Sequence, residues 1–324
     1  MDARMTFHPA CDAARRESVR TVADLWTSGD AFLPLQTSGS TGWPKSLMVP
    51  RWAVQQSIED SAQAFQLAPG QRTALSMDVA GTGGRMMLWR ALALEMSLQV
   101  LPVSRQVDWE GDLDFLALIP QQALAFSSGQ WTRVRTVLLG GAPLQVHEEQ
   151  ALAKAPTTLY HGFGMTETLT HFALRRVGED PVYRCLPGVT VESVDGALVI
   201  HAPSRGVEAL QSTDAVTVHD AHSFTWLGRL DGAILSGGKK IFPEEIDRTI
   251  AAAFPGHPPG FAGGLADAQW GEALVWYSEP LSDIQRARLI TAFEALPSWK
   301  RPKHILEGEL PLTPSGKWKR KLGS

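Results

Sequence analysis

The sequence of 324 residues lacks most features that mark secreted, membrane-spanning or nucleic-acid-binding proteins. It has two cysteines, Cys11 and Cys185, and neither lies in a metal-binding spacing, so we expect reduced thiols in a cytoplasmic protein. No apolar signal segment opens the chain and no window approaches about eighteen apolar residues, so we expect neither a secretion signal nor a membrane partner. A net charge of −4 argues against a general nucleic-acid binder.

Hydrophobic residues make up 44% of the chain and charged residues 20%, which is typical of a soluble globular protein. Over the first two-thirds, short apolar runs alternate with helical patterns, and this alternation favours a parallel α/β sheet covered by helices. The predicted strands are residues 73–77, 98–103, 115–119, 136–139 and 157–160. The predicted helices are residues 52–65, 86–96 and 144–153.

The alternation of predicted strands and helices ends near residue 188, where predicted hairpins follow. Runs at 189–194 and 197–201 flank Asp195-Gly196, a dipeptide preferred in two-residue hairpin turns, and a second hairpin is predicted at 215–227. Helices are predicted from Pro243 and over 282–295. The predicted fold class is therefore α/β. A large N-terminal α/β domain with a small β subdomain (1–230) would precede a mobile C-terminal α+β domain (231–324).

Residues 37–45 read Thr-Ser-Gly-Ser-Thr-Gly-Trp-Pro-Lys and form the most informative stretch of the chain. Glycines let the backbone approach an anion, hydroxyls donate to phosphate oxygens, and Lys45 adds positive charge. A Walker A loop is excluded because that motif needs glycine directly before its lysine, and Pro44 stands there. A flexible linker is the other alternative, but linkers seldom end in a Pro-Lys pair. The stretch is predicted to bind phosphate.

This nonapeptide resembles the phosphate loop of the adenylate-forming superfamily, which contains acyl- and aryl-CoA ligases, luciferases and peptide-synthetase adenylation domains. Further matching stretches follow in the family's order at residues 140–143, 163–167, 213–214, 228–246 and 311–317. The resemblance covers residues 34–321 and implies the adenylate-forming enzyme fold. Because only 36 residues precede Thr37, we expect a form with a shortened N-terminal region.

The resemblance implies which residues bind Mg·ATP. Glu167 would bind Mg²⁺ through a hard carboxylate oxygen, and Thr166 would contact the α-phosphate. Asp214 would accept hydrogen bonds from the ribose hydroxyls, although a lone aspartate of this kind is more often a loop residue. The residues that the resemblance assigns to the nucleotide and coenzyme A are Thr37, Ser38, Gly39, Ser40, Thr41, Gly42, Lys45, Gly141, Ala142, Phe163, Gly164, Asp214, Arg229, Gly237 and Gly238.

The resemblance also implies roles near the carboxyl end. Asp231 would be the hinge of the C-terminal domain, and the loop with Gly237 and Gly238 would line the channel for the pantetheine arm of coenzyme A. Lys317 would be catalytic, with Thr166 and Glu167. A preorganised cation in a site without water lowers a barrier by several kcal/mol, on the order of magnitude known for oxyanion holes. Lys319, Arg320 and Lys321 are interpreted as a solvated basic tail.

Within the superfamily, residues 84–92, 166–175 and 226–229 most resemble the o-succinylbenzoate–CoA ligases of menaquinone biosynthesis. Their acid has two carboxylates, of which one is adenylated, and Arg90 offers a bidentate fork for the other. A helix-surface arginine is the alternative interpretation of Arg90. Thr170 and His171 are predicted to line the acid pocket.

The predicted protein is therefore a cytoplasmic, AMP-forming acid–thiol ligase, either a monomer or a homodimer. It would use ATP, Mg²⁺, coenzyme A and a small carboxylic acid. Two alternatives stay open. The chain could be another aryl- or acyl-CoA ligase, or a nucleotide-binding homologue without catalysis.

Overall fold

The structure, a computed structural model, describes residues 4–37, 45–312 and 318–322. The chain divides into two compact units. Unit 1 consists of Met1–Glu192, Val199–Leu210 and Val218–Phe224, and unit 2 of Ser193–Leu198, Gln211–Thr217 and Thr225–Ser324. The domain boundary at residue 231 stays a prediction. No helix in these described ranges is long and apolar enough to cross a membrane.

The strands, in chain order, are β1 (Met5–Phe7), β2 (Phe32–Thr37), β3 (Lys45–Pro50), β4 (Arg72–Leu75), β5 (Ser97–Val100), β6 (Leu113–Leu118), β7 (Val134–Leu139), β8 (Thr158–Met165), β9 (Thr170–Arg176), β10 (Val182–Cys185), β11 (Thr190–Val194), β12 (Ala197–Ala202), β13 (Val207–Asp220), β14 (Ser223–Arg229), β15 (Ile234–Ser236), β16 (Lys239–Ile241), β17 (Gly260–Asp267), β18 (Gly271–Ser278), β19 (His304–Glu307) and β20 (Lys321–Leu322). The α-helices are α1 (Ala13–Thr27), α2 (Arg51–Phe65), α3 (Thr82–Ala93), α4 (Pro120–Ala123), α5 (Ser128–Trp131), α6 (Val146–Leu152), α7 (Pro243–Ala253) and α8 (Asp283–Phe293).

The largest sheet has twelve strands in the order β1-β5-β4-β6-β7-β8-β9-β10-β14-β13-β12-β11. The pairings from β1 to β8 are parallel, whereas β9 and β10 are antiparallel. The predicted parallel α/β arrangement is thus confirmed, and the five predicted strands correspond to β4, β5, β6, β7 and β8. The hairpin strands predicted as a small β subdomain continue this sheet, because Cys185 N–H donates to the His222 carbonyl and joins β10 to β14.

Helices cover both faces of the parallel part of the sheet, as buried parallel strands require. Along β6, Phe115 and Ala117 belong to the core beneath α1, α2 and α3, while the alternating residues Leu116 and Leu118 belong to a core on the opposite face. The predicted helix at 86–96 begins earlier, at Thr82, and ends at Ala93.

The hairpin between β11 and β12 has the predicted turn. Asp195 and Gly196 both have positive φ angles, 52° and 80°, which is the backbone that the Asp-Gly dipeptide favours in a two-residue hairpin loop. Within unit 2, a six-stranded sheet has the order β16-β15-β18-β17-β20, with β19 paired to β18. Its core packs α7 and α8 against β17 and β18. The predicted C-terminal α+β character is present in this unit.

Candidate active site

A two-stranded hairpin frames the predicted phosphate stretch. In β2 and β3, Thr37 is paired directly with Lys45, so the two ends of the stretch lie side by side. The residues between them lie outside the described residues, as does the predicted catalytic lysine, and their roles stay predictions. These residues are Ser38, Gly39, Ser40, Thr41, Gly42 and Lys317.

Thr82, the first residue of α3, links this hairpin to the acidic motif. Its hydroxyl donates to the carbonyl oxygen of Gln36 over 3.0 Å and lies 2.9 Å from the hydroxyl of Thr166. Since Thr82 has one hydroxyl proton and gives it to Gln36, Thr166 donates to Thr82. The predicted α-phosphate residue therefore lies one side chain away from the start of the phosphate stretch.

The motif at 163–167 lies at the end of β8. A bulge falls between Phe163 and Gly164, and a Cβ at Gly164 would lie 1.9 Å from the Thr170 carbonyl oxygen, so only glycine fits. Thr166 and Glu167 then form a 3-10 turn, and the Glu167 side chain is exposed. Among the described residues no group of three or more potential metal ligands occurs. An exposed single carboxylate suits Mg²⁺, which keeps waters and binds substrate phosphates.

The predicted adenine loop, which includes Gly141 and Ala142, follows β7. His161 in β8 contacts it, because the imidazole Nε2 lies 3.0 Å from the Ala142 carbonyl oxygen. The other ring nitrogen, Nδ1, lies 2.7 Å from the hydroxyl of Tyr183. His161 and Tyr183 are both buried, so the loop is attached to the interior of unit 1 by a polar connection.

The predicted acid-pocket residues lie together within unit 1. Arg90 on α3 is 2% exposed, so its interpretation as a helix-surface arginine is wrong. Its guanidinium donates to the Ser61 hydroxyl over 3.2 Å, and His171 Nε2 lies 3.2 Å from the same oxygen. Thr170 adjoins this group, with its hydroxyl 3.4 Å from His171 Nδ1.

Arg90 has no carboxylate partner among the described residues, and its Nε atom has no hydrogen-bond partner there. Burial, and then the charge of Arg205, lower the pKa of Arg90 to about 10. The buried acid Asp60, which precedes Ser61 on α2, pairs with Arg205 over 2.6 Å. Burial and the same two arginines lower the pKa of His171, which is therefore neutral at physiological pH.

Aromatic rings line the same region. The Arg90 guanidinium lies 5.9 Å from the ring centre of Phe115, and Phe65 lies 5.0 Å from Phe115 and 5.6 Å from His171, centre to centre. Tyr160 packs edge-on to Phe65 at 5.4 Å. A buried cation surrounded by aromatic rings suits an acid that combines an aromatic body with a carboxylate.

In unit 2, Asp214 lies in β13 and its Oδ1 accepts a hydrogen bond from Trp226 Nε1 over 2.9 Å. Arg229, at the end of β14, pairs with Asp231 over 2.8 Å. This ion pair lowers the pKa of Asp231 and raises that of Arg229. The predicted ribose residue and the predicted hinge residue thus have their own partners within unit 2.

Gly237 and Gly238 form the turn between β15 and β16, and both have positive φ angles. Beyond this turn, the chain around the predicted catalytic segment is anchored within unit 2. Trp318 pairs with Leu312 across the ends of that segment and stacks on Phe261 at 4.8 Å. Arg320 pairs with Asp247 over 2.7 Å, so its interpretation as part of a solvated tail is wrong.

Three residues in or beside the site were not predicted: Thr82, His161 and Ser61. Thr82 carried a weak signal, because threonine is often found at helix starts. His161 lies two positions before Phe163, where the motif at 163–167 begins, but a lone histidine there is not diagnostic. Ser61 gave no signal, since serine in an amphipathic helix is ordinary.

Residues 26–203 match the family described as AMP-binding enzyme. This is more than half of the chain, which therefore belongs to that family. A solved structure of an acyl-CoA synthetase (AMP-forming)/AMP-acid ligase II-like protein from Dyadobacter fermentans is 30% identical, with a TM-score of 0.64, and the match covers 97% of this chain and 94% of that one. The predicted adenylate-forming fold is confirmed.

Among curated relatives, the 2-succinylbenzoate–CoA ligase of Salmonella typhimurium is 26% identical over 85% of this chain, and that of Staphylococcus aureus is 29% identical over 58%. This chain spans 64% and 43% of their respective lengths. The structure of Escherichia coli MenE with a bound analogue of OSB-AMS is similar in fold, with a TM-score of 0.68 at 22% identity over 89% of this chain and 67% of that one.

Proposed function

We propose that this chain is an ATP-dependent acid–CoA ligase, most like the o-succinylbenzoate ligases. The observation that carries the proposal is the pair of hydrogen bonds made by the Thr82 hydroxyl, one with the Thr166 hydroxyl and one with the carbonyl oxygen of Gln36, the residue before the phosphate stretch. Membership of the AMP-binding family and the curated relatives named 2-succinylbenzoate–CoA ligase support it.

The proposed reaction has two halves. In the first, the acid carboxylate attacks the α-phosphorus of Mg·ATP and pyrophosphate leaves, with Thr166 on the α-phosphate, Glu167 on Mg²⁺ and Lys317 stabilising the developing charge. In the second, the thiol of coenzyme A attacks the acyl carbonyl and AMP leaves. Between the halves, the C-terminal domain would rotate about Asp231, since hinges are commonly single residues at the ends of elements.

The proposed acid carries a second carboxylate for Arg90. A buried guanidinium without a counter-ion is unfavourable by several kcal/mol, on the order found for broken buried pairs, and a bound carboxylate would relieve that penalty. Ser61 and the neutral His171 add polar contacts beside it. The surrounding Phe65, Phe115 and Tyr160 favour an aromatic body, which together describes an aryl dicarboxylate such as o-succinylbenzoate.

A panel of acids tests the proposal through pyrophosphate release. We expect release with ATP, Mg²⁺ and o-succinylbenzoate, followed by thioester formation when coenzyme A is added. Benzoate, a coumarate and a fatty acid serve as matched monocarboxylates, and we expect their kcat/KM to be at least about tenfold lower because they leave Arg90 without a partner.

The other outcomes contradict the proposal at different levels. Preference for a monocarboxylate would mean that the enzyme class is right and the acid is wrong. Binding of ATP without turnover on any acid would mean that the chain is a nucleotide-binding protein without catalysis.

A further inference from the structure

We propose that His161, held by Tyr183, is a positioning residue for the adenine-binding loop, and that it acts as a neutral imidazole protonated on Nε2. The inference rests on the proposed function, because it takes Gly141 and Ala142 as the loop that contacts the base. Neither His161 nor Tyr183 belongs to the motifs by which the site was recognised. Their role comes from the hydrogen bonds they make inside unit 1.

The partners of His161 determine where its proton is. Nε2 lies 3.0 Å from the Ala142 carbonyl oxygen, which can only accept, so Nε2 carries the proton. Nδ1 faces the Tyr183 hydroxyl at 2.7 Å and the Arg175 guanidinium at 3.5 Å. Because a guanidinium can only donate, Nδ1 is the acceptor, and Tyr183 donates to it. One tautomer satisfies all three neighbours.

The charges around His161 keep it neutral. Burial, and then the positive charge of Arg175, lower the pKa of His161 to about 4. Arg175 itself is held in place by Glu149, to which it donates with two guanidinium nitrogens. Burial favours the protonated form of Glu149, but the hydrogen bonds and charge of Arg175, together with the Gly178 N–H, lower the pKa of Glu149 by more, so the pair stays ionised. A second proton on the imidazole would face a fixed cation.

Tyr183 contacts both His161 and the aromatic residue of the motif at 163–167. Its ring packs edge-on to Phe163 at 5.2 Å, and Phe163 is the aromatic residue of the motif at 163–167. Its hydroxyl meets His161, which holds the Ala142 carbonyl. The Ala142 carbonyl is thereby held by a buried side chain of β8. Tyr183 thus contacts the aromatic residue of the motif directly and the loop through His161.

The test compares a ligand that has a base, ATP, with one that has only phosphates, inorganic tripolyphosphate. Equilibrium binding of ATP and of inorganic tripolyphosphate is measured by calorimetry for the wild-type chain, His161→Leu, His161→Gln and Tyr183→Phe. For His161→Leu we expect ATP to bind about tenfold more weakly, as the loss of one buried hydrogen bond implies, while tripolyphosphate binds as in the wild type. The amide of His161→Gln can still donate to Ala142, so this variant should recover most of the ATP affinity.

Tyr183→Phe removes only a hydroxyl and keeps the inference testable if His161→Leu does not fold. We expect it to weaken ATP binding by about threefold to tenfold, without changing tripolyphosphate binding. Tyr277→Phe is the matched control, because Tyr277 is a buried tyrosine of unit 2 whose hydroxyl has no hydrogen-bond partner among the described residues. It should bind both ligands like the wild type.

Three results would overturn the inference. His161→Leu could bind ATP like the wild type, or ATP and tripolyphosphate could weaken together, as a general loss of structure predicts. The wild-type chain could also bind ATP no better than tripolyphosphate, which would leave no base site to position. Binding is measured without turnover. A chain that binds ATP but activates no acid would therefore contradict the proposed function, while the binding of ATP and tripolyphosphate by the variants would still test the role of His161.

Discussion

Arg90 is a buried cation without a carboxylate partner among the described residues. Its side chain is buried, it donates to Ser61 and to the sulfur of Met87, and its Nε atom has no partner among the described residues. Arg205 nearby has the same charge and lowers the pKa of Arg90 further. A buried cation without a counter-ion lowers the stability of a fold, and a bound carboxylate would offset that cost.

Arg90→Met tests this explanation, because methionine has a similar length and no charge. We expect the variant without acid to be at least as stable as the wild type, and up to about 2 kcal/mol more stable in urea unfolding. We expect its KM for o-succinylbenzoate to rise at least about tenfold. Arg90→Lys keeps the positive charge but cannot make the bidentate contact of a guanidinium, so its KM should lie between those of the wild type and Arg90→Met. A destabilised Arg90→Met chain with unchanged KM would mean that Arg90 is structural.

Roles for single residues could be proposed from the sequence only where a motif carried them. Phe163, Thr166 and Glu167 were identified from sequence order, whereas His161, two positions before Phe163, was not. Its proposed role depends on Tyr183 and Ala142, and sheet pairing brings these three distant positions together. Arg90 could be nominated from its chemistry, but its burial depends on how α3 packs against the sheet.

At the scale of elements, one buried ion pair fastens α2 to the turn after β12. Arg205 donates to Asp60 through two nitrogens, and it also donates to the carbonyl oxygens of Thr168 and His171 over 3.1 Å and 2.9 Å. The pair therefore supports the turn that carries Glu167 and the strand that carries His171. Parts of the proposed site depend on this connection without touching a substrate.

Asp60→Asn should break the connection. Removing one partner leaves Arg205 buried with an uncompensated charge, and we expect a loss of about 3 kcal/mol in the free energy of unfolding, measured with urea. Glu59→Gln is the matched control, because Glu59 is the exposed neighbour of Asp60 on the same helix, and it should change stability by less than about 0.5 kcal/mol. Equal effects of the two substitutions would show that the buried pair does not stabilise the fold.

The elements themselves were largely predictable, and their ends were not. Buried parallel strands such as β6 and β7 have continuous apolar runs, and these runs allowed the strands to be predicted from the sequence. The start of α3 was missed because Thr82 and two glycines precede the apolar residues of the helix. The length of β13 was missed because its exposed residues, among them Glu208 and Thr213, interrupt the apolar pattern.

At the scale of the whole molecule, the predicted motifs are distributed over two units. Unit 1 contains the hairpin around the predicted phosphate stretch, the predicted adenine loop, the acidic motif and the predicted acid-pocket residues, and unit 2 contains Asp214 and Asp231. The fold was predictable because the family's motifs occur in order along the chain. The arrangement of the reacting groups was not predictable, because a motif identifies residue types and gives no distances between them.

The most direct measurement of the central claim compares the two half-reactions in Lys317→Ala. We expect acid-dependent pyrophosphate release to fall by at least about 100-fold, because a preorganised charge at the transition state is lost. Thioester formation from synthetic acyl-adenylate should be retained, and the control Lys319→Ala should perform both reactions. Pyrophosphate release by Lys317→Ala at the wild-type rate would contradict the account.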